Sequence, residues 1–190
     1  MALLSEAKRR EYFKALGLGE YNKANIKALQ KKYFKRKGDI DGIYGKDTDN
    51  LLRHVYNCSK TKNFSPSEFV CDCGRKYCTG YPTYMRDFQL RHLQTIRDHY
   101  GRPMTITSGM RCRTRNHRVK GIPNSLHLYG QATDFYMKGV TDTLKNRRKA
   151  IEWIKKQKRH NYTYGNGCSS VKGRNPHAPY MGNALHTDTK

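Results

Sequence analysis

The chain has 190 residues and a formal net charge of +23 at pH 7, with 36% hydrophobic and 11% aromatic residues. That length admits one medium domain, or a small one followed by a larger one, and the tyrosine-rich aromatic content argues against disorder. Residues 1–57 carry +6 of the charge and residues 58–190 carry +17, so both parts are basic and no appended tail accounts for it. Such a field draws the chain to a polyanion: nucleic acid, an anionic membrane surface, or a wall rich in phosphate polymers. No stretch approaches the ~20 apolar residues of a membrane span. The start, Met-Ala-Leu-Leu-Ser-Glu-Ala-Lys-Arg-Arg, lacks the apolar core of about 7–15 residues that a signal peptide needs. Synthesis in the cytoplasm without an export signal is therefore expected, and six cysteines are not expected to form a disulfide framework.

In chain order, Ser5 can cap a first helix from Glu6 to about Leu16, ended by Gly17 and Gly19. Ile26, Leu29 and Tyr33 fall on one stripe of a second helix, from about Asn25 to Lys37. The acidic loop after Gly38 is no calcium loop: counted from Asp39, the sixth and twelfth places hold Tyr44 and Asn50, where an EF-hand needs Gly and Glu. It reads as a tight turn, with Asp47 or Thr48 capping a third helix that carries Leu51, Leu52, Val55 and Tyr56. Residues 58–67, polar and punctuated by Pro66, read as a linker.

Beyond the linker, Leu90, Leu93, Ile96 and Tyr100 mark a helix from about Thr83 to Tyr100. Strands are expected at Met104–Thr107, Gln131–Met137 and Asn183–Asp188, and a basic helix at Arg147–Lys158. The fold class is α+β: a three-helix N-terminal domain (1–57), the linker, and a second domain (68–190) with an antiparallel sheet flanked by helices.

The N-terminal pattern Ile26-Lys-Ala-Leu-Gln-Lys-Lys-Tyr33, then Ile40-Asp-Gly-Ile-Tyr-Gly-Lys-Asp-Thr48, resembles the three-helix peptidoglycan-binding domain of many wall hydrolases. The resemblance covers roughly residues 20–57 and implies affinity for the wall polymer.

Chemistry concentrates in the second part. His127 and Asp134, in Ser-Leu-His-Leu-Tyr-Gly-Gln-Ala-Thr-Asp, and His186, in Ala-Leu-His-Thr-Asp-Thr-Lys, offer two imidazoles and a carboxylate. Such donors bind Zn²⁺ at about 2.0–2.2 Å and leave a fourth position open, as hydrolytic zinc requires. A turn at Gly130 lets a loop imidazole and a strand carboxylate converge, while His186 must arrive from a distant strand.

Ile106-Thr-Ser-Gly-Met-Arg-Cys112, Asn116, Ser125-x-His-x-x-Gly-x-Ala-x-Asp134 and His186-x-Asp188 together resemble the zinc D-Ala-D-Ala carboxypeptidases and L-alanyl-D-glutamate endopeptidases, a group sharing its fold with lysostaphin and the hedgehog signalling domain. The resemblance implies a zinc held by His127, Asp134 and His186, and hydrolysis of a peptide bond in the peptidoglycan stem. It places Arg111 where an arginine steadies the substrate carbonyl or carboxylate, and makes Ser125 a brace for its loop. Relatives carry a general base three residues before the last ligand, or a histidine five before, where this chain has Asn183 and Met181. Asp188 is the first substitute, as base or as a partner orienting His186, because i and i+2 on a strand share a face. His177, in the loop 175–180, is the second.

Cys71, Cys73, Cys78 and Cys112 could hold a structural zinc, but their irregular spacing favours reduced, partly buried thiols. The expected protein is a monomeric, phage-endolysin-like wall peptidase, reaching peptidoglycan and anionic wall polymers through a pore or on lysis. The other readings are a non-catalytic zinc-containing wall-binding module and a nucleic-acid-binding protein, for which the dispersed charge supplies no specific motif.

Overall fold

A computed structural model describes residues 2–174 and 176–190; Asn175, which opens the loop carrying His177, lies outside them. The Ser5 hydroxyl accepts the Lys8 amide and starts helix α1 (Glu6–Ala15). Asn22 caps α2 (Lys23–Tyr33) in the same way. That helix stops four residues before Lys37, because Phe34 leaves helical geometry and buries its ring. Helix α3 (Lys46–Ser59) follows.

The loop between α2 and α3 hangs on Gln30, whose Nε2 donates to Asp41 Oδ1 (2.9 Å), Thr48 Oγ1 (3.0 Å) and the Ile43 carbonyl (3.1 Å). Its Oε1 accepts the Gly42 amide at 2.8 Å. Gly42 has φ 76°, and a Cβ there would stand 2.9 Å from the Lys23 carbonyl oxygen. The Leu-Gln and Asp-Gly-x-x-Gly-x-x-Thr residues are thus one hydrogen-bonded knot. Thr48 faces Gln30, and the cap position of α3 belongs to Gly45 rather than to Asp47 or Thr48.

Segment 58–67 is not a solvated spacer. Cys58 and Phe64 are buried in a core that runs without a break from Phe13, Leu29 and Leu51 to Phe69, Tyr81 and Leu90. His54 Nε2 donates to the Pro66 carbonyl (2.9 Å), and Asn57 Nδ2 donates to that of Met85 (2.9 Å). The polar composition misleads because one aromatic ring and a capping box at Ser65 and Glu68 suffice to fix the segment.

Helix α4 (Asp87–Tyr100) begins four residues after Thr83. The preceding backbone is committed elsewhere: the Met85 carbonyl accepts from Asn57, and the Arg86 amide donates to the Gly130 carbonyl (2.9 Å). Strand β1 (Thr105–Ser108), helix α5 (Arg113–Arg118), strand β2 (Ala132–Tyr136), helix α6 (Leu144–Ile154) and strands β3 (His160–Gly165), β4 (Cys168–Ser169) and β5 (Leu185–Thr189) complete the α-helices and strands among the described residues, which short 3-10 turns connect.

All strand pairs are antiparallel, in the order β1-β2-β5-β3-β4. The fold is α+β, as expected, although β3, β4 and α5 were not foreseen. On one face of the sheet, Thr133, Thr187 and Thr163 form a cross-strand row, and α4 docks on it through hydrogen bonds. Gln89 Nε2 donates to Thr133 Oγ1 (3.3 Å) and the Thr187 carbonyl (3.2 Å), and His92 Nε2 meets Thr187 Oγ1 at 3.1 Å. Among the described residues no helix is long and apolar enough to cross a membrane.

Candidate metal centre

The opposite face of the same sheet carries a second row, one residue out of phase with the threonines. Ser108, Asp134, His186, Tyr164 and Ser169 are successive register partners across β1, β2, β5, β3 and β4. Directly paired residues project to one side with Cβ atoms about 5 Å apart, so Asp134 and His186 are neighbours by strand pairing alone. His127 comes from outside the sheet, on a 3-10 turn (Leu126–Tyr129) closed by Gly130 at φ 67°. Ser125 braces that turn through its carbonyl, which accepts the Leu128 amide at 3.0 Å.

Three donor atoms converge. His186 Nδ1 lies 2.8 Å from Asp134 Oδ1 and 3.2 Å from His127 Nε2, and His127 Nε2 lies 3.3 Å from Asp134 Oδ1. Ligands about 2.0–2.1 Å from a tetrahedral zinc stand about 3.3 Å apart along the tetrahedron's edges. The triangle fits that ion, and the donor set of two imidazoles and one carboxylate is of the right chemistry.

The remaining ring nitrogens are engaged behind the triangle. His127 Nδ1 donates to the Gly109 carbonyl (2.7 Å), which turns the Nε2 lone pair inward. His186 Nε2 donates to Asp188 Oδ2 (3.1 Å), which does the same for Nδ1. Burial holds His127 below its ordinary pKa despite Asp134. Burial would lower His186 too, but hydrogen bonds to Asp134 and Asp188 outweigh it and push this imidazole up to about 9. Burial works to raise Asp134, yet the two imidazoles hold its carboxyl well below the usual range.

Arg111 donates from Nη2 to Asp134 Oδ2 (2.7 Å) and from Nε to Ser108 Oγ (2.9 Å). Its bonds therefore hold the carboxylate oxygen that points away from the triangle, while Nη1 has no protein partner among the described residues. Asp188 has no free oxygen either: Oδ1 accepts Asn161 Nδ2 (2.6 Å) and the Tyr162 amide (3.0 Å), Oδ2 the His186 ring. It faces the edge of that ring opposite Nδ1, which suits orientation rather than proton abstraction. His177 is exposed, and among the described residues no hydrogen bond ties it to the triangle.

Tyr164 was missed by sequence reasoning. Its ring leans on that of His186, with centroids 4.8 Å apart. Burial, then the Asp134 charge and the exposed Tyr180 beside it, push its hydroxyl pKa well up, so it stays a proton donor. The Tyr-Thr-Tyr alternation of β3 was the available signal.

Residues 62–168 match the sequence profile of the family described as Peptidase M15. The chain belongs to the peptidase M15 family. M15 peptidases are zinc enzymes, and the match includes His127, Asp134, Arg111 and Tyr164 while stopping short of His186. No curated protein sequence matches the chain.

Proposed function

We propose that this M15 peptidase is an endolysin-like peptidoglycan hydrolase that cuts a peptide bond of the wall stem peptide, as a D-Ala-D-Ala carboxypeptidase or an L-Ala-D-Glu endopeptidase. The observation that carries the reading is the triangle of His127 Nε2, Asp134 Oδ1 and His186 Nδ1, sized for one zinc ion and backed by hydrogen-bonded partners. The chemistry a zinc supplies there is Lewis acidity toward a carbonyl oxygen and a water acidic enough, with pKa about 7, to attack near neutral pH.

The chain's own groups do the rest. Arg111 fixes the second Asp134 oxygen through Nη2 and offers Nη1 to a substrate carbonyl or carboxylate. Tyr164, kept protonated, donates its hydroxyl hydrogen to the oxygen that gains charge as the peptide carbonyl becomes tetrahedral. Asp188 positions His186.

Residues 1–57 are assigned to wall binding, 58–67 to the connection and 68–190 to catalysis, in a monomer. The net charge of +23 concentrates the enzyme on anionic wall polymers, an attraction that fades with salt. Made in the cytoplasm, the protein reaches its substrate through a pore or on lysis. Digestion of purified wall, followed by mass spectrometry of the fragments, tests the reading and identifies the bond. Release of stem-peptide fragments should stop on chelation or with His127→Ala, and zinc should restore the chelated wild type. Undiminished release after either treatment overturns the proposal.

A further inference from the structure

Outside that centre, Cys71, Cys73, Cys78 and Cys112 bring four Sγ atoms within 4.8 Å of one another. Three come from one irregular loop and the fourth from the residue that caps α5. Cys112 follows Arg111 on the far side of α4 and β1, so the fold rather than the spacing brings it to the other three. Reduced thiols, the reading favoured by the spacing, account for burial but not for convergence.

The geometry around the sulfurs is that of a closed site. Cys73 and Cys78 Sγ are 3.5 Å apart, far beyond the S–S bond of about 2.05 Å. That separation is near the edge of about 3.8 Å expected for thiolates 2.3 Å from a tetrahedral zinc. Backbone amides point at the sulfurs: Cys112 N at Cys71 Sγ (3.3 Å), Gly80 N at Cys78 Sγ (3.4 Å) and Arg115 N at Cys112 Sγ (3.4 Å). A thiol is a weak acceptor, so three aligned amides suit thiolates that bind a metal.

The loop needs such a clamp. No helix or strand occurs between residues 70 and 86. Gly74, Arg75 and Gly80 all have positive φ, a conformation that strains Arg75 because its Cβ crowds the following carbonyl. Arg115 pairs with both oxygens of Asp72, at 2.8 and 2.6 Å, and so ties α5 to this loop.

We propose that Cys71, Cys73, Cys78 and Cys112 hold a structural zinc ion through four thiolates, locking loop 71–80 onto the chain next to Arg111. With all four positions taken by protein, this ion does no hydrolysis; it fixes the base on which Arg111 reaches Asp134.

Metal analysis and cobalt substitution of the intact protein, purified under reducing conditions, test this. Wild type should carry two zinc equivalents, and its cobalt form an intense thiolate-to-cobalt charge-transfer band in the near ultraviolet. His127→Ala, which touches only the other centre, should keep one equivalent and the full band. Cys78→Ser with Cys112→Ser should lose the band and one equivalent. A cobalt form of folded wild type or His127→Ala without that band overturns the proposal, as does a Cys73–Cys78 disulfide found by peptide mapping of protein purified without reductant. Neither outcome depends on the serine variant folding, and neither bears on the hydrolytic centre.

Discussion

Replacing Asp188 by Asn separates two roles that the sequence left equal. Both oxygens of Asp188 are occupied, Oδ1 by Asn161 and Tyr162 and Oδ2 by His186 Nε2 at 3.1 Å. The side chain can influence the triangle only through the imidazole between them. Asn keeps the shape but removes the charge, so His186 Nε2–H loses a charge-assisted bond and the ring becomes a poorer, less firmly oriented donor. Loss of such a supporting partner costs about 10–100-fold in metal affinity, or about 1.4–2.7 kcal/mol.

A general base would behave differently, because removing one costs about 10²–10⁴-fold in rate without touching metal affinity. Zinc affinity is read by competition with a chromogenic chelator, and kcat on purified wall at saturating zinc. The expected result is zinc binding weakened about 10–100-fold with kcat at saturation within a few-fold of wild type. Unchanged zinc affinity with kcat down by about 10²-fold or more would refute the positioning role and return Asp188 to the part of base.

Tyr164→Phe removes one hydroxyl and leaves the ring on His186; kcat on wall should drop by about 10²-fold while zinc affinity, measured by the same competition, stays within about threefold. Gly130→Ala forces φ 67° on an L-residue and drives its Cβ into the Tyr84 carbonyl oxygen. Left-handed strain of about 1–2 kcal/mol and overpacking of about 1–3 kcal/mol should together lower the Tm by about 4–20 °C in a chain of this size, seen by calorimetry. His54 is fully buried, and burial pulls its pKa down to about 4. As pH falls from about 6.5 toward 4, the unfolded chain takes up a proton that the folded chain refuses, so up to about 3 kcal/mol of stability is lost. Urea midpoints measured across that range should fall more steeply for wild type than for His54→Phe, and equal slopes would contradict the buried neutral imidazole.

The parts of this molecule legible in the sequence are those whose chemistry is local. Ser5 caps a helix wherever the chain goes next. Gln30 and the Asp-Gly-x-x-Gly-x-x-Thr loop can be read as a pattern because their hydrogen bonds close on one another within 18 residues. His127, Asp134 and His186 stand out because two imidazoles and a carboxylate are an unusual donor set to find in such contexts. What could not be read depends on pairing. Tyr164 joins the site only because β3 lies against β5 in one register, and the four cysteines, though nameable as a set, converge only because Cys112 returns to the loop.

Register is therefore what the site depends on most, and the other face of the sheet sets it. A slip of one residue in β5 would turn His186 to the α4 side and bring Thr187 to the front. Apolar packing alone would resist that weakly, since threonines fill the middle of the row against α4. Hydrogen bonds resist it more specifically. Gln89 reaches Thr133, the Thr187 carbonyl and Thr189 at once, and the Thr187 hydroxyl meets both His92 and Thr163. A shifted strand would leave these buried groups without partners, each at a cost of about 1–3 kcal/mol. The polar layer under the sheet, which looks wasteful as a core, is what holds Asp134, His186 and Tyr164 in one line.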